Sequence, residues 1–100
     1  MKLGIHVNTD RHLEHVTGIA RAAASKGHEV QIFVMADGER LLEKPSFLEL
    51  CSVANIKMSY CDHNATHMGI KKEGVPKDVV CGSQYNNAVI VSEADRLIVL

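Results

Sequence analysis

Polar and apolar positions change their period several times along this chain, and each change marks an element. Residues 2–7, KLGIHV, alternate as a half-buried strand does. Asn8, Thr9 and Asp10 follow, residue types that cap helices by accepting free backbone amides. From there to Lys26 the period lengthens: Leu13, Val16, Ile19, Ala20, Ala23 and Ala24 recur at helical spacing, and Gly27 is a natural stop. HEVQIFVM (28–35) is a second strand, its apolar second half suited to burial on both faces. Residues 36–55 predict a turn and then a helix, with Pro45 at its start, Ser46 as cap and Phe47, Leu48, Leu50, Cys51 and Ala54 turned inward.

IKMSYC (56–61) predicts a third strand and HNATHM (63–68) a short helix that Gly69 can end. KKEGVPKD is a polar turn, VVC (79–81) a short fourth strand, and Ser83 caps a helix through about Ala94 before RLIVL (96–100) forms a fifth strand. Strands alternate with helices over short connections. That order calls for right-handed crossovers and an α/β fold, a three-layer α/β/α sandwich around a parallel sheet of about five strands. Residues 1–100 read as a single domain, with no repeat or linker.

Composition sharpens this picture. Apolar residues make up 46% of the 100 positions while tryptophan is absent, so the core is aliphatic and large for so short a chain. Subunits sharing an apolar face in an oligomer are therefore expected. Eleven Lys and Arg against twelve Asp and Glu, with no basic run, argue against nucleic acid as partner. No stretch is long and apolar enough for a membrane span. The opening MKLGIHV enters a strand without an apolar signal core, and three cysteines form no disulfide framework. A cytoplasmic protein with free thiols is the expectation.

In an open parallel sheet, ligands gather beyond the carboxyl ends of the strands. Cys61 and Cys81 both stand there, each just before a helix, whereas Cys51 sits among apolar neighbours and reads as structural. Backbone amides at a helix start favour a thiolate at Cys61, and His63, with His67 one turn on, offers a proton acceptor; Asp62 opposes the thiolate. Cys81 is a possible resolving thiol. Cys61, His63 and His67, joined by His6 or Cys81, would be a zinc set only at unusual spacing, so no metal is expected. The segment after the first strand, NTDRHLEH, carries no glycine-rich phosphate fingerprint, and no organic cofactor is expected.

Three features resemble the DsrE/DsrF-like family: the run ARAAASKGHEVQIFVMADGERLL, the strand-end cysteine with Gly-Ile eight residues on (CDHNATHMGI), and the ending EADRLIVL. The resemblance spans nearly the whole chain. It implies a small cytoplasmic sulfur-relay subunit, a trimer or hexamer by preference, in which Cys61 accepts sulfur as a persulfide from a donor protein and passes it to an acceptor. The chain departs from the commoner pattern at Asp62, His63 and Asn64, where small apolar residues are usual, and in carrying Cys81. Two other expectations stand beside the relay: a non-catalytic assembly subunit with Cys61 inert, and a thiol-disulfide protein using Cys61 and Cys81 as a redox pair.

Overall fold

The computed structural model describes all 100 residues. The strands are β1 (Lys2–Val7), β2 (Glu29–Val34), β3 (Ile56–Cys61), β4 (Val79–Gly82) and β5 (Arg96–Val99), and the helices α1 (Leu13–Ser25), α2 (Pro45–Leu48), α3 (Asp62–Met68) and α4 (Gln84–Glu93). All strand pairs are parallel, in the order β4-β3-β2-β1-β5. The expected five-strand parallel sandwich is what the chain forms.

Winding explains how the helices are shared out. From β1 to β4 the chain steps in one direction across the sheet, so right-handed crossovers put α1, residues 36–52 and α3 on one face. The last connection returns from the β4 edge past β1 to β5, and the same handedness puts α4 on the other face. The cores follow this division. Leu3, Ile5, Val7, Val30, Ile32, Val34, Ile56, Met58 and Tyr60 pack under α1 and the 36–52 segment in the main core. Phe33, Cys61 and Ile90, with Met35 against them, form a small cluster beneath α4. One ten-residue helix over β1 and β2 cannot roof five strands. Val80, Leu97, Val99 and the outward side of α4, with Tyr85 and Val91, are left exposed.

The segment after β2 differs from its expected turn and single helix. Residues 36–43 wind as a 3-10 helix, α2 is one turn long, and residues 49–52 return to 3-10 geometry. Pro45 is the reason: it forces Lys44 into extended backbone (φ −104°, ψ 115°), which interrupts any continuous helix there. The other punctuation holds. Gly27 and Gly69 take left-handed backbone after α1 and α3. Ser83 caps α4, its Oγ accepting from the Tyr85 amide at 3.2 Å while its own amide donates to Asn86 Oδ1 at 2.9 Å. That return bond needs a bare backbone at Gly82, where an added Cβ would lie 2.4 Å from Asn86 Oδ1.

Candidate functional site at the carboxyl edge of β3 and β4

Strand alternation decides which way each thiol faces. Tyr60 pairs with Cys81 and Cys61 with Gly82 across β3 and β4. Successive side chains on a strand point to opposite faces. Cys81 therefore shares the main-core face with Tyr60, and Cys61 points to the α4 face. Two thiols whose Cβ bonds point to opposite sides of a sheet cannot close a disulfide without moving the backbone. The Cys61–Cys81 redox pair is corrected on that ground.

Cys61 is also not presented to solvent, contrary to expectation. Only 4% of it is exposed, and Phe33, Met35 and Ile90 surround it. Gln84 Nε2 donates to Met35 Sδ at 3.6 Å across the rim. The cause is placement: α4 begins at the carboxyl edge of the sheet and lies over the sulfur. His63 and His67 are exposed and stack on each other, 5.1 Å between ring centroids, but α3 lies on the opposite face from the Cys61 sulfur and neither ring bonds to it. His6 faces α4, donating from Nδ1 to Asn87 Oδ1 at 3.2 Å. The zinc set is thus dispersed; no three His, Cys, Asp or Glu side chains converge enough to hold an ion.

Cys81 is the exposed thiol. It lies on β4, an edge strand with no helix above it, and polar groups gather around it. Lys72 forms an ion pair with Asp62 and donates to Thr66 Oγ1 at 2.9 Å. That bond, and then hydrogen bonding toward Cys81, hold the Asp62 carboxyl below its usual range; Asp62 in turn raises Lys72. Burial first, and then the Cys81 thiol, hold the Tyr60 phenol above its ordinary value, so it stays a neutral hydroxyl. The Lys71-Lys72-Glu73 run, whose sequence fits plain solvated surface, thereby supplies a member of the site.

A buried acid completes the cluster. Glu39 is 0% exposed, and neither carboxyl oxygen has a hydrogen-bond partner. Burial pushes its pKa up to about 7, with Asp62 adding to the rise and Lys72 opposing it. Its backbone is pinned by Gly38, which lies so close over β1 that a Cβ there would stand 2.3 Å from the Val7 carbonyl oxygen. The sequence offers one signal for Glu39: in a 3-10 helix residues three apart eclipse, and Glu39 shares a side with buried Leu42.

The residues that depart from the family pattern have local roles. Asp62 holds Lys72, and Asn64 Oδ1 accepts from the Ala36 amide at 2.9 Å. Ala36 needs this anchor, because its left-handed backbone (φ 49°) is strained for an alanine.

No family profile and no curated protein matches the sequence. Among solved structures the chain is similar to the ychN protein from E. coli, a DsrE-like fold protein, with a TM-score of 0.71 and 16% identity over 99% of this chain and 97% of that one. At that identity the similarity establishes a shared DsrE-like fold over essentially the whole length of both proteins.

Proposed function

We propose that the chain is the subunit of a small cytoplasmic sulfur carrier, in which a strand-end thiol takes sulfane sulfur from a donor protein as a persulfide and passes it to an acceptor. The observation that carries this reading is Cys81: a free, solvent-facing thiol at the carboxyl edge of a DsrE-like sheet, among Tyr60, Asp62 and Lys72. Cys61, the position to which the family resemblance assigns the sulfur, is closed under Met35, Phe33 and Ile90. Thiol exchange needs a thiolate that a donor can touch, and of the two strand-end cysteines Cys81 meets that need. The half-covered α4 face would be shared with further copies of the chain, leaving the Cys81 side free for partner proteins.

The test is sulfur uptake. Reduced protein is incubated with a low-molecular-weight persulfide and weighed intact. One added sulfur atom, kept in Cys61→Ser and lost in Cys81→Ser, is the expected result. Loss in Cys61→Ser instead would return the site to the buried position. No uptake by any form removes the carrier reading. A second reading, an assembly subunit without thiol chemistry, is favoured by the sealing of Cys61 and the unroofed sheet, and absence of uptake is its expected outcome.

A further inference from the structure

Buried carboxyl groups are ordinarily hydrogen-bonded, and Glu39 is not. It is held in place by the close seat of Gly38 on β1, and it does not brace the fold through any bond of its own. The titratable groups that face it come from the elements packed around the edge: Tyr60 of β3, Asp62 of α3 and Lys72 of the turn before β4. Cys81 acts on the same three. Asp62 and Lys72 are already committed to each other. That leaves a thiol at the mouth, a neutral hydroxyl beside it on the next strand, and an unoccupied carboxyl behind.

We propose that Glu39 is the proton acceptor for exchange at Cys81, acting through the Tyr60 hydroxyl. This rests on the reading of Cys81 as a carrier thiol and adds the group that prepares it. The Cys81 S–H proton passes to the Tyr60 oxygen as Tyr60 releases its own proton to the Glu39 carboxylate. The thiolate attacks the outer sulfur of a donor R–S–SH. A Cys81 S–S bond forms, the donor S–S bond breaks, and the leaving R–S⁻ takes up a proton. The sum is Cys81–SH plus R–S–SH giving Cys81–S–SH plus R–SH, with no net oxidation. Tyr60 returns neutral, as its raised pKa requires. The Lys72 ammonium sits where it can offset charge on the sulfur.

Alkylation by iodoacetamide tests the proton path without involving sulfur transfer. The rate at Cys81 is followed in the full chain from pH 5.5 to 9.5 by peptide mass spectrometry. A thiol sharing its proton with a carboxyl titrates as a pair. The profile should therefore bend twice, the lower bend near the Glu39 pKa of about 7. In Glu39→Gln the lower bend should vanish and the rate at pH 7.5 should fall by about threefold or more. Tyr60→Phe should do the same with Glu39 in place. A single bend in the unmodified protein overturns the proposal, which needs no variant to fold. So does a faster Glu39→Gln, the sign expected if Glu39 only repels the thiolate. Sulfur uptake with a single bend would leave the carrier and remove this path; two bends without uptake would do the reverse.

Discussion

Two residues, Glu39 and Cys61, have burial that their own chemistry does not announce. For Glu39 the sign of the pH effect follows from a folded-state pKa raised from 4.5 to about 7. Between those values the folded state holds the extra proton, so its contribution to stability is complete below pH 4.5, is lost as pH rises toward 7, and is absent above. Glu39→Gln should therefore be more stable than the parent at pH 8, by about 1–3 kcal/mol in urea unfolding, and should flatten the decline over that range. An unchanged profile would mean that the carboxyl is hydrated. The thiols should separate just as clearly. A coloured thiol reagent should consume one exposed cysteine, Cys81, quickly under native conditions and reach Cys61 only on unfolding. Cys61→Ser places a hydroxyl among Phe33, Met35 and Ile90 and should cost about 1–3 kcal/mol, while Cys81→Ser should stay within about 0.5 kcal/mol.

The elements were largely legible in the sequence because their signals are local. Alternation marked the strands, the 3.6 period marked α1, and Gly27, Gly69 and Ser83 punctuated the helices where expected. The 36–55 region escaped because its winding depends on Pro45 and on contact with the end of β1, the second of which is remote in sequence. Cys61 and Cys81 were rightly placed at strand ends, yet the facing of each depends on β3–β4 register and on which face α4 roofs. Neither quantity is carried by a local pattern. The start of α4 gives a sharp check at this scale. Gly82→Ala would drive Asn86 off the Ser83 amide and should cost about 1–2 kcal/mol, seen as a lower melting temperature with early loss of helix.

On the scale of the molecule, the single return helix leaves apolar side chains bare on either side of α4, and Tyr85 is 75% exposed. Such a surface is expected to close against other copies of the chain. Sedimentation should report a species larger than 11.0 kDa, and Tyr85→Glu with Val80→Glu should shift it toward monomer while leaving Cys81 alkylation unchanged. A monomeric parent would remove that expectation. The sheet itself also acts as a partition. Because Tyr60 and Cys61 are neighbours in the chain yet face opposite layers, cargo sulfur on Cys81 would be insulated from the thiol next to it in the sheet. Back-attack by Cys61, which would expel that sulfur as hydrosulfide and leave a disulfide behind, is barred by the backbone. Unloading would then wait for an incoming acceptor, and the lifetime of the loaded form would be set by encounter.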